Sequence, residues 1–359
     1  MSDASMLTRH GATRADVAAL LDSLGQPSFR ISQVWEGLWV QRRPLEELTT
    51  LPRSLRAQLA LALPLSLDLV IEQTGDHGAT RKFLWSCARD SAQVETVLMR
   101  SAGRATVCIS SQAGCAMACS FCATGQAGFE RHLESAEIVE QVLRAQHASP
   151  DRIGNVVYMG MGEPLANLDA VWESVERIHD DLGISARNFV ISTVGAVPGM
   201  RRLAELPLPV TLAVSLHAPD DDLRDTLVPL NRRYPIAEVL DAARTYATAK
   251  GRRVSFEYAC IASVNDTPRQ AAALASLLRG FPGGAHVNLI PLNPTEGYRA
   301  EAAPRLRVHA FAARLREAGV TATVRRVRGA DIDAACGQLR SRATASSTVP
   351  ASDSARMTV

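Results

Sequence analysis

The chain has 359 residues, enough for one large domain with an appendage or for two domains. Its 47% hydrophobic content supports a buried core. The 39 basic and 37 acidic residues leave a net charge of +2, so overall charge does not indicate a nucleic-acid-binding protein. The basic residues are nearly all arginine, since lysine occurs only at Lys82 and Lys250.

The N-terminal sequence MSDASMLTRHGATRAD lacks the basic start and apolar run of a secretory signal. No apolar stretch reaches the roughly 18 residues of a membrane span. We therefore expect a cytoplasmic protein without a membrane partner. Thiols stay reduced in that compartment, so the seven cysteines are expected to be ligands, catalytic groups or core residues.

The first predicted elements are helices between about Thr13 and Leu63. Apolar residues recur at helical spacing in ADVAALLDSLG and in FRISQVWEGLWVQ, after which Pro44 and Pro52 interrupt the pattern. We expect a small helical module. Its arginines either contact an RNA phosphate backbone or form a solvated face.

Strands follow the helical module. Four segments are rich in β-branched residues, namely DLVIEQT, RKFLWSC, QVETVLM and ATVCISS. From about Glu134 strands and helices alternate as far as VTATVRRV. Such alternation predicts parallel strands joined by helices, hence an α/β barrel or an open sheet. The Ser/Thr/Ala-rich residues 341–359 predict a disordered tail.

Three cysteines, Cys115, Cys119 and Cys122, form a CxxxCxxC array. A structural zinc site needs four ligands, and no second cysteine pair follows. A [4Fe–4S] cluster has four irons, so three cysteines leave one iron open to a small molecule. The spacing resembles that of the radical S-adenosylmethionine enzymes, in which the cofactor binds the open iron.

Five separated motifs extend this resemblance. They are VCISSQAGCAMACSFCATGQAGFERHL, YMGMGEPLANLD, ISTVGAVPGM, VSLHAPDDDLRDTLVPLNRRYP and RGADIDAACGQL. In this order they resemble the RlmN/Cfr family of radical S-adenosylmethionine RNA methyltransferases, from the helical module to about Leu339. The resemblance implies an α/β fold with a partial (β/α) barrel of the radical SAM type. The implied regions are a helical accessory domain that contacts RNA (1–65), a β-rich connector (66–100), the radical SAM core (101–340) and the tail (341–359).

The resemblance implies methylation of an adenine carbon in 23S rRNA, at C2 in RlmN-type members and at C8 in Cfr-type members. RlmN-type enzymes are the widespread form, which favours C2 and adds the adenine 3′ to the anticodon of tRNAs as a substrate. The implied cofactors are a [4Fe–4S] cluster and S-adenosylmethionine. The implied partners are 23S rRNA, tRNA and an electron donor such as flavodoxin or ferredoxin, and a monomer is expected. A non-catalytic, zinc-dependent RNA-binding protein is the alternative from a different class.

The resemblance also implies catalytic roles. Cys336, in IDAACGQL, matches the cysteine that carries the methyl group and becomes covalently joined to RNA. Cys108 matches the cysteine that resolves this intermediate through a transient disulfide. Glu95 matches the proton acceptor, although a carboxylate alternating with Val94 and Val97 on a strand also fits an ordinary polar-face residue.

Further residues match the cofactor contacts of the family, and they follow the predicted strands, where α/β barrels place their sites. Each alone has a structural explanation as a turn or core residue, and their joint occurrence in order favours binding. The implied cofactor-binding residues are Gly162, Glu163, Ser192, Ser215, Leu216, His217 and Asn293, and the implied metal ligands are Cys115, Cys119 and Cys122. Cys87 and Cys260 match no functional position and are expected to be buried on strands.

Overall fold

One ten-stranded sheet and a separate two-stranded ribbon organise the chain. The computed structural model describes residues 7–101 and 103–339, so the predicted tail at 341–359 lies outside the described residues. The strands are β1 (Leu67–Gly75), β2 (Thr80–Cys87), β3 (Gln93–Ser101), β4 (Arg104–Cys108), β5 (Gln112–Gly114), β6 (Phe129–His132), β7 (Ile153–Tyr158), β8 (Phe189–Thr193), β9 (Thr211–Ser215), β10 (Val254–Cys260), β11 (Ala285–Pro291) and β12 (Thr321–Val324). The α-helices are α1 (Arg14–Ser23), α2 (Phe29–Trp35), α3 (Arg53–Ala62), α4 (Ala123–Ala127), α5 (Ser135–His147), α6 (Leu168–Asp180), α7 (Val197–Glu205), α8 (Asp221–Leu227), α9 (Ile236–Lys250), α10 (Pro268–Leu278) and α11 (Arg305–Glu317).

The large sheet has the strand order β1-β2-β3-β4-β7-β8-β9-β10-β11-β12. Neighbours pair antiparallel from β1 to β4 and parallel from β4 to β12. Within the described residues the sheet is open, with β1 and β12 at its two ends. The predicted α/β class with a partial barrel is confirmed. The strands β1 to β3, expected as a connector, are hydrogen bonded into the same sheet as the parallel core.

The parallel strands are buried by the helices that connect them, which explains their nearly continuous apolar sequence. On β10, for example, Phe256 and Tyr258 are fully buried, as is Val214 on the neighbouring β9. Helix α5, which follows the two-stranded ribbon, begins with a capping box between Glu134 and Glu137. None of the helices in the described part combines the length and the apolar character needed to cross a bilayer.

The second helical segment of the N-terminal module differs from the expectation of a regular helix. Helix α2 ends at Trp35 and continues as a π-helical turn, Glu36–Val40. A Cβ atom on Gly37 would lie 2.5 Å from a methyl carbon of Leu48, so glycine permits this turn to pack closely. The apolar periodicity of FRISQVWEGLWVQ does not distinguish an α-helix from an α-helix with one wider turn.

Glu140, fully buried on α5, joins the helical module to the sheet. Its carboxylate lies 3.0 Å from His10 Nδ1 and accepts the backbone N–H groups of Ser66 at 2.9 Å and Leu67 at 3.2 Å. Burial acts to raise the pKa of Glu140, but His10, Ser66 and Arg144 outweigh it and hold that pKa below its ordinary value. The ionised carboxylate is therefore an anchor between the module and the core.

Glu140→Ala should lower the free energy of unfolding by about 3–5 kcal/mol, because it leaves the partners of a buried carboxylate unsatisfied. Chemical denaturation measures this loss. Asp169→Ala is the control, since its ion pair with Arg202 is exposed and should contribute less than about 1 kcal/mol. Equal losses in the two variants would contradict the anchoring role.

Candidate functional site

The carboxyl ends of the parallel strands lie along one edge of the sheet, where two neighbouring cavities are found. The larger has a volume of about 520 Å³ and the smaller about 150 Å³. Met159, Gly160, Asn293, Arg325 and Cys336 line both cavities. The two spaces are therefore adjacent and share a wall.

The CxxxCxxC array lies in the loop between β5 and β6. The ribbon formed by these strands closes the loop, and the Cys115 N–H donates to the Gly128 carbonyl at 2.7 Å. Ala118 has a φ of 52°, a left-handed conformation that is costly for a residue other than glycine. Cys119 lines the smaller cavity and Cys122 lines both. The loop therefore places the thiols of Cys119 and Cys122 near the wall that the two cavities share.

The electrostatics of the three thiols test whether they fit an iron–sulfur cluster. Burial raises the pKa of Cys115 to about 12 and that of Cys119 well above its ordinary value, and Cys122 raises both further. Thiolates at Cys115 and Cys119 therefore require a compensating cation, and metal ions deprotonate the thiols that coordinate them. No three His, Cys, Asp or Glu side chains within 7–101 and 103–339 converge on one metal ion. A [4Fe–4S] cluster binds each cysteine through a different iron, and three thiols on one loop are a donor set of the type that such a cluster takes.

The turn after β7 presents Gly162 and Glu163 to the smaller cavity. Gly162 has a φ of 99°, and a Cβ atom there would lie 2.6 Å from Gln112 Cβ, so the turn requires glycine. The Glu163 carboxylate accepts the backbone N–H groups of Leu165 at 3.1 Å and Val194 at 2.9 Å. Burial nevertheless raises the pKa of Glu163 to about 7. An ammonium group bound beside Glu163 would stabilise its ionised carboxylate and lower this pKa.

The ends of β8 and β9 each bring a serine to the smaller cavity. The hydroxyl oxygens of Ser192 and Ser215 are 3.4 Å apart. Leu216 is fully buried in the core and does not line this cavity, while its carbonyl accepts a hydrogen bond from Arg224 at 3.0 Å. The residues that were expected to bind the cofactor therefore all line the smaller cavity, except Leu216.

His217 enters the smaller cavity as a neutral ring. Its φ of 61° is left-handed, and its Nδ1 accepts the Ala259 N–H at 3.0 Å, which assigns the ring proton to Nε2. Burial, reinforced by the charge of Arg224, lowers its pKa to about 3. The ring edge packs against Phe121, with the centroids 4.8 Å apart. His217 thus brings a neutral N–H donor to the cavity.

Glu257, on β10, also lines the smaller cavity, although the sequence pattern did not identify it. It is 3% exposed, and its Oε1 accepts hydrogen bonds from Asn288 at 2.9 Å and Ser255 at 3.1 Å. Its Oε2 has no hydrogen-bond partner in the described part of the chain, and Arg325 Nη1 lies 3.8 Å away. Burial raises the pKa of Glu257. A hydroxyl or ammonium group of a bound ligand would satisfy this oxygen, which fits a polar cofactor such as S-adenosylmethionine.

Cys336 lies on a segment that crosses the shared wall of the two cavities. The Asn293 side-chain amide donates to the Cys336 carbonyl at 2.9 Å, and the Ala123 N–H donates to the Gly337 carbonyl at 2.8 Å. Gly337 has a φ of 85°. The segment is therefore hydrogen bonded both to the cysteine loop and to the loop after β11, and Cys336 itself is exposed.

Cys108, at the end of β4, lines the larger cavity together with Cys336. Burial raises the pKa of Cys108 to about 12, Cys336 raises it further, and the guanidinium of Arg325 opposes both. The pKa of Arg325 is itself raised, chiefly by Cys336. Two thiols far apart in the sequence thus share one cavity with a cation.

Glu95 lies on β3 two residues before Val97, which lines the larger cavity, while Glu95 itself does not line it. Glu95 is 1% exposed, and its Oε1 is 3.2 Å from Lys82 Nζ. Its burial and ion pair distinguish it from a polar residue on a solvated strand face. Its catalytic role stays a prediction.

Arg224 is a buried residue of the site that sequence analysis missed. Its guanidinium donates to the Val194 carbonyl at 2.7 Å and to Asn231 Oδ1 at 2.8 Å, and it also holds the Leu216 carbonyl. It thereby joins the loops after β8 and β9, and its charge acts on Cys119. Nothing in the pattern DDDLRDTLVPL distinguishes it from an arginine on a solvated helix.

The chain is similar to known proteins over most of its length. Residues 109–275 match the model of the Radical SAM superfamily. It is 50% identical over 362 residues to the "Probable dual-specificity RNA methyltransferase RlmN" of Parafrankia sp. (strain EAN1pec), covering 94% of this chain and 93% of that protein. A protein of the same name from Mycolicibacterium smegmatis is 51% identical, covering 90% of this chain and 92% of that protein. The crystal structure of a radical SAM methyltransferase from Sphaerobacter thermophilus is 45% identical with a TM-score of 0.88, covering 94% of this chain and 100% of that chain.

The joint variant Cys115→Ala, Cys119→Ala, Cys122→Ala should lose bound iron and the broad visible absorption of anaerobically prepared protein, since it removes the thiolate ligands. Iron analysis and absorption spectroscopy measure this loss. Cys260→Ala is the matched control, because Cys260 is buried on β10 outside both cavities. Full iron content in the joint variant would rule out the cluster site.

Proposed function

The chain belongs to the RlmN family of radical S-adenosylmethionine RNA methyltransferases, and on that premise we propose that it methylates C2 of an adenine in 23S rRNA. Family membership makes it an enzyme and replaces the alternative of a non-catalytic zinc protein. The proposal includes the adenine 3′ to the anticodon of tRNAs, because the similar proteins are named dual-specificity enzymes. It also includes a one-electron donor such as flavodoxin or ferredoxin.

One observation carries the proposal: Cys336 stands where the two cavities share a wall. On one side are the cysteine loop and the polar groups that suit S-adenosylmethionine. On the other is a cavity of about 520 Å³, within the roughly 300–1,000 Å³ range of ligand pockets, where Cys108 is also found. A thiol in this position can receive a group from the first cavity and deliver it into the second.

The chemistry requires such a carrier, because an adenine ring carbon has no lone pair with which to attack a methyl sulfonium. Bound at the smaller cavity, the cluster and S-adenosylmethionine would supply the methyl group, a hydrogen-abstracting radical and a sink for the electron that the adduct gives up. The Cys336 sulfur holds the methyl carbon, which becomes bonded to the adenine as a covalent protein–RNA intermediate. Asn293 orients this cysteine through its backbone carbonyl.

Two residues then complete the reaction in the proposed mechanism. Glu95 accepts the proton from the adenine carbon, and the electron pair of that C–H bond stays with the ring. The Cys108 thiolate attacks the Cys336 sulfur, a disulfide forms, and the electron pair of the broken C–S bond passes to the methylene carbon, which takes up a proton. Burial disfavours the Cys108 thiolate, so the nearby guanidinium of Arg325 is the group that assists its formation.

The rim of the larger cavity suits an RNA substrate. Arg104, Arg326 and Arg328 line it, and the first two are exposed. Arginine forks bind phosphate oxygens, while the cavity admits a base that has left its stack. We therefore assign the larger cavity to the target adenine and the arginines to its flanking phosphates.

Mass spectrometry of nucleosides tests the site of methylation. Ribosomal RNA from a strain that lacks this protein should lose one methyl on C2 of a single adenine, and the gene for this chain should restore it. A gene encoding Cys336→Ala should not restore it, because the carrier thiol is absent. Restoration of an 8-methyladenine instead of a 2-methyladenine would contradict the proposed ring position.

Cys108→Ala should accumulate a covalent protein–RNA adduct that survives denaturation, since no thiolate can displace the base from Cys336. Denaturing gels with and without ribonuclease measure the adduct. Cys87→Ala, a change at a buried cysteine outside both cavities, should run as free protein, and so should Cys108→Ala combined with Cys336→Ala. Free Cys108→Ala protein with normal product yield would remove Cys108 from the mechanism.

A further inference from the structure

Lys82 is one of only two lysines in the chain, and it lies buried between two parts of the site. It occupies the position on β2 opposite Val97 of β3, and Glu95 is the next residue on the same face of β3. The Lys82 Nζ is 3.2 Å from Glu95 Oε1, with the two side chains only 8% and 1% exposed. This diagonal pair spans two strands next to the larger cavity.

The same ammonium group also contacts the segment that carries Cys336. Lys82 Nζ donates a hydrogen bond to the Asp333 carbonyl oxygen at 3.3 Å. Asp333 has a left-handed φ of 50° and precedes Cys336 by three positions. A lysine ammonium has three donors, so it can hold a carboxylate and a carbonyl at once. Lys82 is therefore a bridge between Glu95 and the Cys336 segment.

A buried carboxylate stays ionised only if its charge is compensated. Loss of Lys82 removes a positive charge that lies 3.2 Å from the buried Glu95 carboxylate. Loss of a neighbouring cation makes the ionised form of a buried carboxylate less stable. The Asp333 carbonyl would also lose the hydrogen bond that joins the Cys336 segment to Lys82. Loss of one ammonium group thus affects both the charge of Glu95 and its placement relative to the methyl-carrying cysteine.

We propose that Lys82 is a positioning residue, which binds both Glu95 and the Cys336 segment so that Glu95 accepts the proton released from the adenine carbon. This inference rests on the proposed function. The proton leaves the ring carbon and binds a Glu95 carboxylate oxygen, while the electron pair of the C–H bond stays with the ring. Lys82 itself touches neither the RNA nor the methyl group.

The first arm of the test compares single variants in a reconstituted methylation assay with rRNA. Lys82→Gln should lower kcat about 100-fold, the lower end of the contribution of a general base, while KM for RNA changes less than about threefold. Lys82→Arg should recover a large part of kcat, because a guanidinium can also bind both the carboxylate and the carbonyl. Lys250→Gln, a change at the other lysine, should leave kcat within about twofold of the wild-type value.

The second arm separates positioning from folding. Lys82→Gln combined with Glu95→Gln removes both buried charges, so it should fold, and its kcat should match that of Lys82→Gln, since the two residues act as one unit. Iron content and methylation of Cys336, which needs no RNA, should equal those of the wild type in both variants. Loss of iron or of Cys336 methylation in both would overturn the proposal in favour of a purely structural ion pair.

The controls distinguish the failure of this inference from the failure of the proposed function. If the wild-type protein forms no 2-methyladenine in the assay, the proposed function fails. If the wild type is active and Lys82→Gln retains its kcat, only the role of Lys82 is overturned. A Lys82→Arg variant as inactive as Lys82→Gln would likewise contradict a role that depends on the positive charge.

Discussion

Parallel strands can end only on the same edge of their sheet, and the arrangement of the whole site depends on this constraint. The end of β8 and the loops after β7, β9 and β11 bring Ser192, Gly162, His217 and Asn293 to one cavity, although these residues span much of the chain. Buried polar groups hold these loops in place. The guanidinium of Arg224 joins the loops after β8 and β9, and the Glu163 carboxylate joins the loops after β7 and β8 through backbone N–H groups.

The position of the C-terminal segment that carries Cys336 depends on contacts at the same edge of the sheet. Cys336 follows the last strand of the sheet, and its segment is held by hydrogen bonds from Asn293, from the cysteine loop and from Lys82. Each bond ends on a backbone carbonyl, and Cys336 remains exposed. The thiol is thus placed by contacts to the main chain, which leaves its sulfur available to chemistry in either cavity.

The sequence predicted the strand and helix alternation well, because buried parallel strands and amphipathic helices leave clear periodic patterns. Motif order identified the cysteine loop and the polar residues after the strands. Motif order did not show that the Leu216 side chain lies in the core while its neighbours Ser215 and His217 line the cavity. In an irregular segment the direction of each side chain does not follow a fixed period. Nor did motif order show that the predicted connector strands continue the main sheet.

Contacts between distant residues could not be predicted from pattern alone. The pair of Lys82 and Glu95 depends on the register of β2 against β3, and a shift of one residue would place these side chains on opposite faces. Arg224 is typical of a surface residue in sequence, yet its donors satisfy carbonyls inside the fold. Buried charges of this kind follow from the assembled tertiary structure and leave no local signal.

In the proposed mechanism, Cys336 carries the methyl group between the two cavities. The most direct test is peptide mass spectrometry of reconstituted protein incubated with S-adenosylmethionine labelled in its methyl group, before and after rRNA is added. We expect one labelled methyl on the Cys336 peptide without RNA, and transfer of its labelled carbon to adenine once RNA is present. Labelled RNA from a protein that never carries the label on Cys336 would rule out Cys336 as the methyl carrier.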